Sequence, residues 1–266
     1  MKHLPLLLLS PLLLMACDTG PDLAKICKES PAMCEEFIED TWCKKERVKT
    51  IYHNYALTQT GADKQKFDLL IAYEEYAACM DHASQIEHIK LKYKKRNRID
   101  NAIKAKERIK QLSEETLRSE HPELLFYHWS RYLNEGALAK FLAMEGSKAL
   151  ETAASQFNLA TYYIKRDPDK TLDLLFHALE LQPDDSPVNT EIFKSITTIF
   201  TDKEEFKQAY IWLKILTLYD PEDIDSSEQG LMAFAQFHKL DADFLDKVAS
   251  ATLDKITDGT FTAPRH

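Results

Sequence analysis

Beyond about residue 25, apolar residues recur three and four positions apart through nearly the whole chain, the spacing that lays one apolar stripe along an α-helix. No segment sustains the alternate-residue pattern, enriched in β-branched side chains, that marks a half-buried strand. Helices are expected over 42–58 and 64–83, with the turn between them centred on Gly61. Residues 84–118 read as a long or broken helix whose apolar stripe is Ile86, Ile89, Tyr93, Ile99, Ile103, Ile109 and Leu112. Breakers then follow at Pro122, Gly136, Gly146, Pro168, Pro183, Pro187, Pro221, Gly230 and Gly259. Asp167-Pro168 and Ser186-Pro187 each set a capping side chain before a proline at the first helical position. The expected fold is therefore all-α. A single domain, 26–256, comprises an N-terminal part (26–120) and helical pairs (121–256), followed by a frayed tail, 257–266.

Within the second part the pattern repeats. Ile196, Thr197, Phe200, Ala209, Leu213, Leu216 and Pro221 fall at the spacing of a tetratricopeptide repeat, and the unit resembles one. It departs in carrying a threonine where Gly or Ala is usual, and a leucine at the later alanine position. Leu159, Ala160, Tyr163, Leu175, Ala178 and Pro183 form a preceding unit one residue shorter between its helices, nearer to Sel1-like repeats. Tyr127 to Met144 offers a degenerate third. The resemblance implies a helical-hairpin array, a solenoid whose usual work is holding a peptide or protein.

The start of the chain breaks the pattern. Met1-Lys2-His3 is followed by an apolar run from Leu4 to Met15, too short for a hydrocarbon layer that takes about 20 helical residues to cross. A positive start, a short apolar stretch and small residues describe a secretory signal. Leu14-Met15-Ala16-Cys17 resembles the lipobox of bacterial lipoproteins, which implies a signal peptide over 1–16, acylation of Cys17, and a tether over 17–25. Asp18 resembles the residue that retains such proteins in the inner membrane of enterobacteria.

Four cysteines then remain, Cys27, Cys34, Cys43 and Cys79, in a compartment where disulfides persist. Cys43 lies 18 residues before Gly61 and Cys79 18 residues after it, so an antiparallel hairpin sets them opposite each other at its open end. Cys43–Cys79 and Cys27–Cys34 are the expected pairs. Spacings of six, eight and 35 intervening residues do not match zinc knuckles or ribbons, and no metal is expected.

Composition and charge narrow the function more than they define it. The 266 residues carry a net charge of −9, which argues against nucleic-acid binding, and six glycines leave little from which to build phosphate cradles. No GxSxG, HExxH, P-loop or dinucleotide-binding motif is present, and no cofactor or catalytic residue is expected. Charge is unevenly spread: Lys90 to Lys110 holds ten Lys or Arg, among them Lys94, Lys95, Arg96 and Arg98, against Asp100 and Glu107. Asp220 to Asp246 holds eight carboxylates against Lys239. The basic stretch is a candidate surface for anionic lipid headgroups. His128 and Arg131, three apart in an aromatic-rich segment, are the candidate binding or catalytic pair. Lys165 to Lys170 reads as a connector that supplies caps. His82 and His88, six apart, fall on different helix faces.

The segments ICKESPAMC (26–34), TWCKKER (41–47), AYEEYAAC (72–79), FYHWSRYL (126–133), TYYIKRDPDKTLDLLFHALEL (161–181) and QAYIWLK (208–214) together resemble an uncharacterised family of gammaproteobacterial lipoproteins, a domain of unknown function. That likeness implies a periplasm-facing lipoprotein and supplies no catalytic residues. The expected function is a membrane-tethered, non-catalytic adaptor for an envelope protein or peptide. The rivals are an envelope enzyme using His128 and Arg131, and a peripheral lipid-binding protein using Lys90 to Lys110.

Overall fold

A computed structural model describes residues 22–87, 89–183, 186–223 and 227–263. The leader with Cys17 and Asp18, His88, and residues 264–266 lie outside the described residues. Those described form thirteen α-helices and a 3-10 turn, with no strand among them. The chain divides into two compact units, the first ending at Thr116 and the second starting at Leu117.

The first unit opens with two short helices, α1 (Leu23–Glu29) and α2 (Pro31–Cys34), and continues in α3 (Lys44–Thr60), α4 (Asp63–Ser84) and α5 (Lys92–Thr116). Helix α3 ends at Gly61, whose φ of +65° suits glycine and whose N–H closes the last turn onto the Leu57 carbonyl. The hairpin that follows sets Cys43 beside Cys79, with Cα atoms 6.0 Å apart, and they are joined; Cys27 and Cys34 are joined likewise at 5.5 Å. Helix α4 is the central rod. It buries Leu69, Leu70, Tyr73, Tyr76 and Met80, and Phe37 packs on Tyr73 and Tyr76 at centroid distances of 6.1 and 4.5 Å.

Residues 84–118 form a broken helix, α4 ending at Ser84 and α5 starting at Lys92, and of the expected stripe Leu112 is buried, Ile86 and Ile109 are half-buried and the rest faces outward. Ile89, Tyr93, Ile99 and Ile103 are exposed, whereas Arg98, Asn101, Ala102, Ala105, Leu112, Ser113 and Thr116 are buried. Two physical reasons favour that rotation. Ala102 and Ala105 have no bulk to hold α5 away from its neighbours, and the buried Arg98 and Asn101 find partners at Asp40 and Ile38. The Asn101 amide accepts from the Ile38 N–H (2.9 Å) and donates to the Ile38 carbonyl (2.8 Å).

The second unit is a succession of helix pairs: α6 (Pro122–Tyr132) with α7 (Glu135–Leu142), α8 (Ala153–Tyr163) with α9 (Pro168–Glu180), and α10 (Glu191–Asp202) with α11 (Phe206–Tyr219). Two last helices, α12 (Glu228–His238) and α13 (Ala242–Thr257), both pack on α11. Side chains of Asn134, Thr152, Asp167, Ser227 and Asp241 cap α7, α8, α9, α12 and α13, each accepting the N–H three residues on. Of the repeat positions, Leu159, Ala160, Leu175 and Ala178 in one pair and Ile196, Phe200, Ala209 and Leu216 in the next are buried, and Tyr163, Thr197 and Leu213 are half-buried. Burying a Leu, Ile or Phe side chain stabilises by roughly 1.5–3 kcal/mol, so each pair depends on its neighbour.

Two local expectations are corrected. Pro187 does not start a helix: Val188 is drawn into the core, its N–H bonded to the Tyr219 hydroxyl at 2.7 Å, and α10 begins at Glu191. The tail is not frayed as far as residue 263. Phe261 lies 6.4 Å from the Phe176 ring and 6.2 Å from Trp212, and the Ala263 N–H bonds the Glu180 carboxylate at 2.7 Å.

Candidate functional site

The four basic candidates on α5 separate. Arg98 is not a surface cation: its side chain is 3% exposed, with Nε 2.9 Å and Nη2 3.3 Å from the Asp40 carboxylate and Nη1 2.8 Å from the Ala83 carbonyl. Burial alone would raise the Asp40 carboxyl, but the bond and charge of Arg98, the Trp42 N–H and nearby Lys94 outweigh it and hold it below its ordinary value. Arg98 therefore clasps α5 to the segment before α3, and it is withdrawn as a binding residue. Lys94 is half-buried beside that clasp, and Lys95 pairs with Glu87. Arg96 alone of the four projects fully, 85% exposed with Asp100 at 3.9 Å.

In the second unit, His128 and Arg131 both lie on α6 and both adjoin the Tyr127 ring, but they differ in burial. His128 is 2% exposed, its ring 5.7 Å from Tyr127 and 6.0 Å from Tyr132. Arg131 is exposed, its guanidinium 5.8 Å above the Tyr127 ring. One is buried among aromatics and the other stands at the surface, with the exposed Ser130 between them in sequence.

Other charged groups have structural roles. Lys214 lies 3.0 Å from Glu228 and 3.3 Å from Asp246, and Lys194 lies 2.9 Å from Asp223, so the acidic stretch is partly neutralised from α10 and α11. In the connector between α8 and α9, Asp167 caps α9, Arg166 lies 4.2 Å over the Tyr162 ring, and Lys170 pairs with Glu145. Cys43, Cys79 and Glu46 bring ligand-type atoms within 4.8 Å of one another. Both sulfurs are tied up in the disulfide, and a bridged sulfur is not the thiolate that zinc takes.

A cleft of about 270 Å³ in the second unit lies between α9, α10, α11, α13 and the segment 258–263. Phe176, Phe200 and Trp212, each under 5% exposed, form its floor, and Phe261 closes one side. Glu205, Gln208, Lys255 and Thr262 line it as exposed polar groups at the rim. An apolar floor with a polar rim accepts an apolar side chain while leaving partners for the backbone around it.

None of these lining residues stands out in the sequence as a site, because Phe176, Phe200 and Trp212 read as ordinary core positions. The available signal was Phe261, a single large aromatic in an otherwise polar tail, which folds back rather than remaining in water.

No curated protein matches the chain, and no solved structure matches it. A family model covers residues 14–214, a span that takes in all five cysteines and ends within α11, so α13 and Phe261 lie beyond it. By that match over most of its length the chain belongs to the family described as Protein of unknown function (DUF2989).

Proposed function

We propose that the chain is a membrane-anchored periplasmic lipoprotein whose second unit is a tetratricopeptide-like or Sel1-like adaptor. Its cleft between α9, α10, α11 and α13 takes an apolar side chain of an envelope protein or peptide. The cleft is the observation that carries this reading, because an aromatic floor beneath polar groups suits one inserted side chain of an extended partner. Paired helices with alanines at Ala160, Ala178 and Ala209 support the repeat-like part.

The Leu14-Met15-Ala16-Cys17 motif supports an acyl anchor, and Asp18 favours the inner membrane. Two joined cysteine pairs fit an oxidising compartment.

A photo-crosslinking residue placed in living cells at Gln208 on the rim, with Thr161 on the exposed face of α8 as control, tests the cleft. A discrete adduct from Gln208, absent from Thr161 and lost on Ile211→Lys in the cleft wall, is expected. Adducts of equal yield from both positions, or none from Gln208, refute the adaptor reading.

A further inference from the structure

An apolar stripe that the fold leaves in water calls for a physical reason. Ile99 and Ile103 are 40% and 51% exposed, and Ile89, Leu91 and Tyr93, at or just before the start of α5, are 93%, 40% and 59% exposed. With about 3.6 residues per turn, Lys92, Arg96, Ile99, Ile103, Lys106 and Lys110 fall within one sector of roughly 80°. Buried Asn101 and Ala105 lie on the other side of the helix. The stripe runs roughly 27 Å from Lys92 to Lys110, with the isoleucines between cationic ends.

Lys106 pairs with Asp81, and Arg96 lies at 3.9 Å from Asp100, but Lys90, Lys92 and Lys110 make no ion pair among the described residues. Along one edge of the sector lie Asp100, Glu107 and Glu114; the other edge carries Lys95 and Lys106.

We propose that this face of α5 lies on an anionic phospholipid surface. Ile99 and Ile103 enter the boundary between headgroups and acyl chains, and Lys92, Arg96 and Lys110 sit among the lipid phosphates. The complementarity is one of sign and of shape. A straight, narrow apolar stripe bracketed by lysines suits a plane of negative headgroups, where long lysine stems lie along apolar surface while their ammonium groups reach the phosphates. The carboxylates along one edge are repelled by that plane and set the rotation, tipping the Lys106 edge inward. Among the described residues no helix is long and apolar enough to cross a membrane, so the proposed contact is one along the surface and not a span. This face lies in the first unit, so the inference stands independently of the cleft and of the acyl anchor.

The test is co-sedimentation of the full chain carrying Cys17→Ser, so that no acyl chain contributes. Vesicles of phosphatidylethanolamine with phosphatidylglycerol are compared with vesicles of phosphatidylcholine. Binding to the anionic vesicles, weakened by salt, is expected. Each lysine near the surface is worth about fivefold (about 1 kcal/mol), so Lys92→Gln with Lys110→Gln should weaken binding roughly 25-fold. Ile99→Ser with Ile103→Ser should abolish it. Lys207→Gln, an exposed lysine of α11, should change nothing. All these side chains are exposed, so circular dichroism and melting should stay as in the parent chain.

Equal, negligible binding to both vesicle types overturns the proposal, as does a Lys207→Gln effect as large as that at Lys92 or Lys110. So does self-association of the chain, lost in the α5 variants, without vesicle binding; it would assign the face to the acidic segment of a second copy.

Discussion

Replacing Arg98 by Met removes the guanidinium while keeping much of its apolar stem. It takes from the buried Asp40 carboxylate contacts of 2.9 and 3.3 Å, and from the Ala83 carbonyl one of 2.8 Å. Breaking one side of a buried ion pair costs about 3–5 kcal/mol, mostly because the other charge is left uncompensated. Asp40 still accepts the Trp42 N–H at 2.8 Å, which places the loss at the lower end, about 3 kcal/mol. Hydrogen exchange read peptide by peptide separates the two units. In Arg98→Met the best-protected amides of α4 and α5 should exchange roughly 100-fold faster, and those of α10 should not change.

Adding Asp40→Asn should restore much of the protection, because it removes the stranded charge. The pH dependence has a definite sign. Asp40 is held below its ordinary value near 3.8, so its contribution is full above that value and is lost as pH falls through the lower, folded one. In Arg98→Met the guanidinium no longer opposes burial and only the Trp42 N–H and Lys94 do, so the acid-dependent loss from Asp40 should shrink. Protection in Arg98→Met equal to that of the parent chain, or a double variant as weak as the sum of its singles, would show that Arg98 is not a clasp.

Two further outcomes follow from the first unit's crosslink and the second unit's tail contact. Replacing Cys43 and Cys79 by Ser opens a loop of sequence separation 36 and should cost about 4 kcal/mol in urea unfolding of the first unit; an unchanged midpoint would refute the hairpin staple. His177 lies 2.9 Å from Glu151 and 3.1 Å from Glu180, which also holds the Ala263 N–H. Burial lowers the imidazole, but its two carboxylate bonds raise it above the ordinary 6.5. The stabilisation is therefore full below 6.5 and lost as pH rises through the raised value; with His177 over a third exposed, it amounts to less than about 1 kcal/mol. Exchange of the 260–263 amides, corrected for its intrinsic pH dependence, should speed up over that range, and a flat profile would contradict it.

What the sequence discloses depends on how far away the deciding partner lies. The hairpin was legible because its determinants are local: Gly61 fixes the turn, and Cys43 and Cys79 stand equally far from it. The α8–α9 and α10–α11 pairs were legible for the same reason, through closely spaced small and large residues and a proline after each pair. The rotation of α5 was not, since periodicity finds a stripe but not the side that faces inward. Here the decision rests with Asp40 and Ile38, 58 and 63 residues away, which satisfy Arg98 and Asn101. Charge count likewise marked Lys94, Lys95, Arg96 and Arg98 as one group, although neighbours on a helix point in different directions. The cleft was hidden because its floor uses the same residue types as any core, and its closing wall comes from a tail that looked too polar to fold.

Residues 36–40 hold α5 by non-covalent bonds to Arg98, Asn101 and Lys104, and they lie between Cys34 and Cys43, each covalently bridged elsewhere in the unit. Helix α5 carries no cysteine. Traction applied at the N-terminus is thus carried by covalent links from Cys27 as far as Cys79, whereas detaching α5 means severing the Arg98, Asn101 and Glu36 attachments and peeling it from α4, all of them non-covalent. Mechanical unfolding of the oxidised chain should release α5 first and leave a crosslinked remnant that yields only after reduction.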